Sequence, residues 1–394
     1  MKITRLEAFA VELPMRFGFR HARARRTSSA NVVVRAELED GRFEGWGASV
    51  PREYVGGESV DSVFSAFACG LAPALARPFE DYAGLARALA SGPVLAVADE
   101  DDHLAARAAV ELALVDACGR AFGLSGSALA GLAFPSIARR DADGPVRYGA
   151  VLNKAPLPIE MAQAAAMRFY GLSDFKIKVG FDVADDLRRV SALRGVLGRD
   201  ADIRADANGA WMLDQLRSAL EGLAAAGVTS IEEPVRPDEL EGLAELAPST
   251  PVPFMLDESL RSMADAARAA DLGLASSFNI RISKCGGLVR AMAIAEFARS
   301  RGLSYQLGCQ VGECGILSAA GRAFASGVDG ITHLEGSYDR FLMGETLVRG
   351  DISFGRGGLA APLAGPGLGV NVRGGRVRRI ATRRTRIPIK GAGH

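Results

Sequence analysis

Hydrophobic and polar residues alternate along three early segments of the chain, 2–13, 30–39 and 42–48. Such alternation predicts β-strands with one buried face, and the turn Glu39-Asp40-Gly41 predicts a hairpin between the last two strands. Apolar residues at helical spacing follow in three segments, 59–76, 80–90 and 101–123. The first third is therefore predicted to be an α+β domain. A Gly, Ser, Pro and Asp-rich stretch around 135–145 marks its boundary.

Beyond residue 145 the pattern changes to short strand-like runs that alternate with helical runs. The predicted strands are 146–153, 174–180, 202–208, 230–235, 254–259, 278–287, 303–309 and 330–336. Between them, segments such as 212–227 and 288–301 are Ala-rich and long enough for a helix. Strands alternating with helices predict an α/β fold with a parallel sheet, and eight strands are the number that closes a (β/α) barrel.

Ionisable residues recur at the predicted carboxyl ends of successive strands, at intervals of 25 to 28 residues, or about one βα unit. They are Lys178, Asp206, Glu232, Asp257 and Lys284. In a barrel all strands open on one face at their carboxyl ends, so we expect these side chains to converge on one pocket. An open doubly wound sheet would bring them together less well.

Three of these residues, Asp206, Glu232 and Asp257, are carboxylates that would repel one another in a partly buried pocket. A divalent cation removes that repulsion, and ligation by oxygen alone suits Mg²⁺ or Mn²⁺ better than zinc. The alternative is that each acid pairs with a nearby Arg or Lys. The regular spacing across successive strands favours the metal site.

Two lysines flank these acids, Lys178 on the second strand and Lys284 after the sixth, which lies opposite in an eight-stranded barrel. A partly desolvated lysine beside a cation has a lowered pKa and acts as a base near neutral pH. Strand alternation places Lys176 on the same inner face as Lys178 but deeper, where it neutralises the carboxylates. Lys284 is out of phase with its strand, so a bend at 285–287 is expected to re-aim it.

Composition narrows the classes of protein further. With 48% hydrophobic and 24% charged residues the chain is globular, and 47 Lys and Arg against 46 Asp and Glu argue against nucleic acid as the main partner. The first 14 residues lack the apolar core of a signal peptide or membrane span, so we expect a cytoplasmic protein that does not bind membranes. The scattered cysteines are expected to be free thiols. They are Cys69, Cys118, Cys285, Cys309 and Cys314.

These motifs together resemble the enolase superfamily, specifically its muconate lactonizing enzyme subgroup (mandelate racemase/muconate lactonizing enzyme-like). The resemblance rests on 176–178, 206–208, 231–234, 257–259 and 284–287, and on a helix at 109–116 that is similar to one in the family's capping domain. It implies a (β/α)7β TIM-like barrel with an N-terminal α+β capping domain. The implied cap is 1–135, completed by about 345–394, and the implied barrel is 140–345.

The resemblance also implies an activity, a cofactor and roles for site residues. Family enzymes abstract the proton α to a carboxylate of a small-molecule substrate, with Mg²⁺ as cofactor. Carried over, Asp206, Glu232 and Asp257 are the metal ligands, and Lys178 and Lys284 are the acid/base pair. Glu258 competes for the third ligand position, and Lys176 and Asn208 support the site. A homo-oligomer is also implied, without a specified number of subunits.

Substrate identity depends on the loops and on the eighth strand. Dipeptide epimerases of this subgroup carry Asp-x-Asp there to hold a substrate ammonium, whereas this chain has His333 and Glu335. Glu335 is a candidate cation binder, and a structural strand-end pair is an equal alternative. The loops 17–26 and 51–57 are expected to roof the site, and their basic residues suggest an anionic or polar substrate end, against the alternative of solvated charges. Candidate substrate-binding residues are Arg20, His21, Arg52, Tyr54, Glu313, His333 and Glu335.

The end of the chain is strongly basic, since residues 352–394 contain nine Lys or Arg and no acid. Weak nucleic-acid binding is one interpretation. The pattern favours the other, a strand of the first domain lying on an acidic body, with a frayed end.

The function that these features favour is racemisation or epimerisation of an N-acyl amino acid or dipeptide-like substrate through an enediolate, because a lysine on each side suits inversion. Cycloisomerisation of a muconate-like diacid is the second hypothesis, and dehydration to an o-succinylbenzoate-like product is the third. From another class, the chain is a catalytically idle barrel that serves as a binding protein. The paired lysines argue against idleness.

Overall fold

The computed structural model describes residues 1–21 and 24–389, and of residues 17–21 and 24–26 the backbone only. Within these residues the chain forms an antiparallel sheet with helices, followed by a parallel barrel.

The first sheet is built mainly from the start of the chain and is completed by its end. Its strands are β1 (Ile3–His21), β2 (Ala24–Leu38), β3 (Phe43–Ser49) and β14 (Ala381–Arg386), in the spatial order β14-β1-β2-β3. All neighbours are antiparallel, as the pairs Phe9 with Val33 and Phe9 with Arg384 illustrate. The basic C-terminal segment thus contributes an edge strand, as its pattern favoured.

Five α-helices follow β3 along the chain. They are α1 (Glu53–Gly56), α2 (Val60–Cys69), α3 (Tyr82–Ser91), α4 (Leu104–Phe122) and α5 (Ala128–Ala133). Two of them, α2 and α4, pack on this sheet. The predicted helix 59–76 ends early, at Cys69, because Gly70 takes a φ of 92° and a separate 3-10 turn begins at Pro73. The first strand runs longer than predicted, since β1 and β2 continue as a hairpin beyond Pro14, with a register shift.

The close packing of β3 on α4 explains two glycines of β3. A Cβ at Gly45 would lie 2.1 Å from the main-chain N of Ala117, and one at Gly47 would lie 2.2 Å from the main-chain O of Ala109. Both contacts are with backbone, which cannot swing away. Helix α4 is almost entirely buried between this sheet and the barrel, so its position fixes how the two parts of the molecule meet.

The barrel is a parallel sheet whose strands all overlap predicted ones. Its strands, in spatial and chain order, are β5 (Ala150–Leu152), β6 (Asp174–Lys178), β7 (Asp202–Asp206), β8 (Val228–Glu232), β9 (Phe254–Leu256), β10 (Ser277–Ile280), β11 (Ser304–Leu307) and β12 (Ile331–Leu334). β5 and β12 lie at the two ends of the sheet, and the main-chain bond from Gly149 N to Leu334 O (2.8 Å) links them. The predicted barrel fold is confirmed.

A helix follows each of the first seven barrel strands. These helices are α6 (Leu157–Phe169), α7 (Val183–Leu197), α8 (Leu213–Ala225), α9 (Leu243–Leu246), α10 (Met263–Leu272), α11 (Leu288–Ser300) and α12 (Gly315–Gly327). The remaining elements are a small sheet, β4 (Val146–Arg147) with β13 (Leu359–Ala360), and the short helices α13 (Asp339–Leu342) and α14 (Gly374–Ile380). Among the described residues, no helix is both long and apolar enough to span a membrane.

Hydrogen bonds join the first sheet and its helices to the carboxyl ends of the barrel strands. Asn31 donates from Nδ2 to Gly312 O (3.0 Å) and accepts from Cys314 N (3.1 Å). Val50 N donates to Ser283 Oγ (2.9 Å). The fully buried carboxylate of Glu111 accepts from Val289 N (2.7 Å). The N-terminal part therefore covers the open end of the barrel where the site lies.

The tight β3–α4 contact generates a stability prediction. Gly47→Ala forces a methyl group against the backbone of α4, so we expect it to lower the free energy of unfolding by about 2–3 kcal/mol, as overpacked sites do. The control is Gly131→Ala, an exposed position within α5 with nothing near its added Cβ. There helix propensity should raise stability by about 0.5–1 kcal/mol. Urea denaturation followed by circular dichroism measures both, and equal stability of the two variants would contradict the packing explanation.

Candidate active site

Charged side chains line the inside of the barrel in register with one another. Lys178 pairs with Asp206 and Asp206 with Glu232 across three adjacent strands, while Lys176 pairs with Arg204 one layer deeper. Residues that pair in a parallel sheet share a face, so these side chains all point inward. Phe175 and Ile177, on the opposite face of β6, are fully buried against the helices. The predicted inner face of β6 is therefore present.

Lys176 lies at the centre of this interior and is 3% exposed. Its Nζ is 2.7 Å from Glu335 Oε2, 3.1 Å from Glu232 Oε1 and 3.3 Å from Asp206 Oδ2. Burial alone lowers the pKa of Lys176, but the carboxylates of Glu232, Glu335 and Asp206 outweigh burial and raise it above the usual lysine value. Lys176 is thus a fixed positive charge among acids.

Lys178 lies nearer the open end of the barrel and lines its cavity. Its Nζ donates to Asp206 Oδ2 (2.6 Å) and to Asn208 Oδ1 (2.8 Å). Asn208 adopts a φ of 47°, and its main-chain N donates to Asp206 Oδ1 (3.0 Å). The left-handed turn at Asn208 folds its amide back toward Lys178, which holds the ammonium group in place.

Lys284 approaches the site from the opposite side of the barrel. Its Nζ donates to Asp257 Oδ1 (2.9 Å) and to the main-chain O of Asn279 (2.9 Å), and its side chain is fully buried behind the cavity wall. Burial lowers the pKa of Lys284 to about 8. The turn that re-aims it begins at Arg281, where Cys285 N donates to Arg281 O (2.9 Å). The bend therefore starts earlier than the predicted 285–287.

Arg281 occupies the wall between the two outer carboxylates. It forms an ion pair with Asp257 and lies 3.6 Å from Glu232 Oε1. Asn279 Nδ2 and Gln306 Nε2 donate to Glu232 at 2.8 and 3.1 Å. Arg281 is not among the residues predicted from the sequence. The available signal is its alternation with Asn279, which places both side chains on one face of the chain.

Two further carboxylates, Glu233 and Glu258, belong to the same cluster. Glu233 accepts hydrogen bonds from Asp257 N (2.7 Å) and from Ser259, and burial raises its pKa to about 7. Glu258 lines the cavity, where its Oε1 accepts from Asn208 Nδ2 (3.1 Å) and its buried Oε2 has no hydrogen-bond partner. Burial, with added repulsion from Glu233 and Asp206, raises the pKa of Glu258 to about 7.

The predicted metal ligands contact protein cations in this arrangement. Asp206 contacts Lys176 and Lys178, and Asp257 contacts Arg281 and Lys284. Of the competing residues Asp257 and Glu258, it is Glu258 that lines the cavity.

Among the described residues, a different group of acid and histidine side chains has its ligand atoms within 4.8 Å of one another, and this group lies away from the predicted metal ligands. It consists of Asp174, Asp202 and His333, at the opposite end of the barrel from the cavity. The structure thus does not gather Asp206, Glu232 and Asp257 as closely as a metal site would.

The eighth strand differs from its predicted role. His333, predicted to bind substrate, is not part of the cavity wall among the residues described. Its Nε2 lies 2.8 Å from Asp202 Oδ2 at the start of β7. His333 shares a face with Glu335, but two residues of strand place it about 6.6 Å deeper in the barrel. Glu335 does line the cavity, although its carboxylate is bound by Lys176 and by Arg204 Nη1 (3.0 Å).

Of the remaining predicted substrate-binding residues, three line the cavity and two have side chains that the structure does not describe. Arg52, Tyr54 and Glu313 line the cavity. The guanidinium of Arg52 donates to Ser29 Oγ (2.6 Å) and to Val311 O (3.1 Å), and burial raises the pKa of Glu313 to about 8. The side chains of Arg20 and His21 lie outside the described residues.

The cavity over these groups has a volume of about 460 Å³. Its polar wall includes Lys176, Lys178, Asn208, Glu258, Arg281 and Glu335. A second wall of aliphatic and aromatic side chains, which sequence reasoning did not identify, continues from it. A concave site with converging charged groups beside an apolar surface is the usual form of a small-molecule site.

Comparisons with known proteins place this site in a family. Residues 160–376 match the family described as "Enolase C-terminal domain-like". The chain is 31% identical to an N-succinyl-L-Arg/Lys racemase of Bacillus cereus over 85% of this chain and 87% of the relative. A crystal structure of N-succinyl Arg/Lys racemase from that organism superposes with a TM-score of 0.84 at 26% identity, covering 98% of this chain and 100% of the other.

Two other relatives carry different names. An L-Ala-D/L-Glu epimerase of Bacillus subtilis is 30% identical over 94% of this chain and 97% of the relative. A muconate cycloisomerase 1 of Rhodococcus opacus is 32% identical over 68% of this chain and 69% of the relative. All three relatives are isomerases by name. The chain accordingly belongs to the enolase superfamily, in its muconate lactonizing enzyme-like subgroup, and is an isomerase of that superfamily.

Proposed function

We propose that this isomerase racemises or epimerises an N-acyl amino acid or a dipeptide-like carboxylate by moving the proton α to the carboxylate. The observation that carries this proposal is the pair of buried lysines, Lys178 and Lys284, which approach from opposite sides of the barrel. Inversion at a carbon needs a proton acceptor on one side and a donor on the other.

The chemistry of the donor set suits a Mg²⁺ ion, with Mn²⁺ as a substitute, and a bound ion would replace the lysine and arginine contacts that Asp206 and Asp257 make in this structure. The donor set consists of carboxylate oxygens, which hard divalent cations prefer. The buried Oε2 of Glu258 has no hydrogen-bond partner, which suits a cation nearby. In the proposal Asp206, Glu232 and Asp257 hold the ion, with Glu258 as the competitor for the third position. When bound, Mg²⁺ stabilises the negative charge that develops on the substrate carboxylate.

The surroundings of the two lysines suit them for proton transfer in different ways. Asp206 and Asn208 orient the ammonium of Lys178 by two hydrogen bonds. Lys284, whose pKa burial lowers to about 8, is partly neutral near pH 7 to 8 and so can accept a proton. One lysine removes the α-proton to give an enediolate, and the other returns a proton to the opposite face. Lys176 keeps its charge and holds Glu232 in place.

The state of Glu335 supports a substrate without a free ammonium near the eighth strand. Lys176 and Arg204 already neutralise this carboxylate, and they lower its pKa to about 2 despite burial, which acts in the opposite direction. A substrate cation there would compete with two buried protein cations. An acylated nitrogen is uncharged and avoids that competition. The similarity to an N-succinyl amino acid racemase agrees with this choice.

The proposal also covers the domains of the chain and its assembly into subunits. Residues 1–135, completed by about 345–394, act as a cap over a barrel at 140–345, and the protein assembles as a homo-oligomer.

Cycloisomerisation of a muconate-like diacid is the second candidate function, favoured by the similarity to a muconate cycloisomerase.

We expect metal removal to test the ligand assignment. EDTA should abolish α-deuterium exchange into N-acyl amino acids in D₂O, as followed by NMR, and Mg²⁺ should restore it. Asp206→Asn should raise the Mg²⁺ concentration needed for half-maximal exchange at least tenfold. The matched control is Asp174→Asn, in the acid and histidine group at the other end of the barrel, which should leave that concentration unchanged. Full exchange in EDTA, or the effect appearing in the control instead, would contradict the assignment.

The two-lysine mechanism makes a separate prediction. Lys178→Ala and Lys284→Ala should each abolish racemisation, because inversion needs both lysines. Each variant should still exchange the α-proton of one enantiomer, and the retained enantiomer should differ between the two variants. NMR of both enantiomers in D₂O measures this split.

A cycloisomerase or dehydratase gives a different result. There one lysine transfers the proton while the other stabilises the enediolate, so both variants lose turnover without enantiomer-dependent exchange. Absence of exchange by the folded wild-type protein with every carboxylate tried would favour the idle barrel.

A further inference from the structure

The cavity extends out of the barrel through the gap between the first and last strands. Along β5, Val151 pairs with Lys176 and faces inward, whereas Ala150 pairs with Phe175 and faces outward. Both Val151 and Ala150 line the cavity. Because β5 is an end strand of the sheet, a cavity that touches both of its faces passes around its free edge.

The gap between β5 and β12 is closed at the start of β5 and open beyond it. At the start of β5, Gly149 N donates to Leu334 O (2.8 Å) and Tyr338 Oη donates to Gly149 O (3.0 Å). Above this point the last strand turns away, since Gly336 and Ser337 adopt φ values of 123° and 52°. The segment after β12 crosses this side, and within it the described residues form the four-residue helix α13 rather than a long barrel helix.

We call the part of the cavity outside the gap the seam chamber. Its wall includes Ala150, Met167, Leu172, Tyr338, Phe341 and Phe354. The rings form a continuous aromatic cluster, with centroids 5.0 Å apart for Phe341 and Phe354 and 5.8 Å apart for Tyr338 and Phe354. The Tyr338 hydroxyl already has a protein partner, and no member of this wall carries a charge.

We propose that the seam chamber binds the acyl group of the substrate, and that this group is an apolar chain or ring. This inference rests on the proposed function, since it assumes an acylated nitrogen beside the reacting carbon. An apolar cavity holds water poorly, whereas an aliphatic or aryl group gains about two- to fourfold in affinity for each methylene that it buries there.

Asn153 supports an amide at the neck of the chamber. It lies two residues beyond Val151 on the same face of the chain and lines the cavity. Its buried Oδ1 has no hydrogen-bond partner among the described residues. The N–H of an acylated nitrogen supplies the missing donor, after which the acyl chain enters the gap between Val151 and Glu335.

The outer end of the chamber reaches the surface. Phe341 is 38% exposed, and Ala166, which also lines the cavity, is exposed. There is accordingly no closed back wall at this end to limit chain length. The affinity for a series of acyl chains should therefore rise with length and then level off.

Binding of N-acylglycines tests the chamber without requiring turnover. The probes are N-acetyl-, N-butanoyl-, N-hexanoyl- and N-octanoylglycine, titrated by calorimetry into the wild-type protein with Mg²⁺. We expect affinity to rise two- to fourfold per methylene up to about hexanoyl and then to level off. Equal affinity across the series, or a preference for N-succinylglycine over N-hexanoylglycine, would overturn the proposal.

Three variants test whether the dependence of affinity on chain length arises in the seam chamber. Val151→Phe narrows the neck and should remove the dependence on chain length from butanoyl onward. Ala166→Trp, on an exposed helix position that tolerates the change, should weaken N-octanoylglycine at least tenfold while leaving N-acetylglycine within twofold. Ala162→Trp, exposed on the same helix but outside the cavity wall, is the matched control and should leave the series unchanged. A Trp effect equal for short and long chains, or equal at positions 162 and 166, would overturn the proposal.

The same experiments separate the chamber from the proposed function. Chain-length dependence that the variants remove, together with no α-deuterium exchange in any N-acyl amino acid, would support the chamber and refute the racemase. Exchange without chain-length dependence would refute the chamber and leave the racemase standing.

Discussion

The ion pairs of Lys176 with Glu232, Glu335 and Asp206 lie on the axis of the barrel, where barrels of this kind usually pack branched apolar side chains. Withdrawing such charges from water costs several kcal/mol per ion unless each is paired and hydrogen-bonded. Every member of the cluster therefore depends on the others. The cluster also fixes strand register, because a slip of one residue would turn these charges toward the apolar helix layer. The residues to which the proposal assigns the chemistry and the residues that hold the barrel together are thus largely the same.

The N-terminal part of the chain, which we call the cap, covers the open end of the barrel. Asn31 and Arg52, both from the N-terminal part, bond to the loop after β11, which also carries Glu313. That loop is consequently held from both sides, by its own strand and by the cap. The charged side chains behind this cover are buried, which strengthens each electrostatic contact among them.

Much of this arrangement could be predicted from the sequence, because the spacing of Lys178, Asp206, Glu232, Asp257 and Lys284 reflects a repeated structural unit. Alternation also predicted which residues of β6 face inward. Alternation gives a face, however, and not a depth, so His333 was placed in the site although it lies near the other end of the barrel. The placement of the long Arg281 side chain between two carboxylates depends on rotamers and neighbours from three strands. The seam chamber depends on how early the contact between β5 and β12 ends, since the described bond between them starts from Gly149, and no local pattern records that point.

The position of β14 has a consequence for biosynthesis. The sheet of the cap is formed by the first strands of the chain and by a strand that leaves the ribosome roughly 330 residues later. At typical elongation rates of about 5–20 residues per second, β1 waits some 15–70 s with one edge unpaired. During that time its buried, apolar edge is a template for other nascent chains. The nascent cap is thus a natural client for chaperones until synthesis has passed β14.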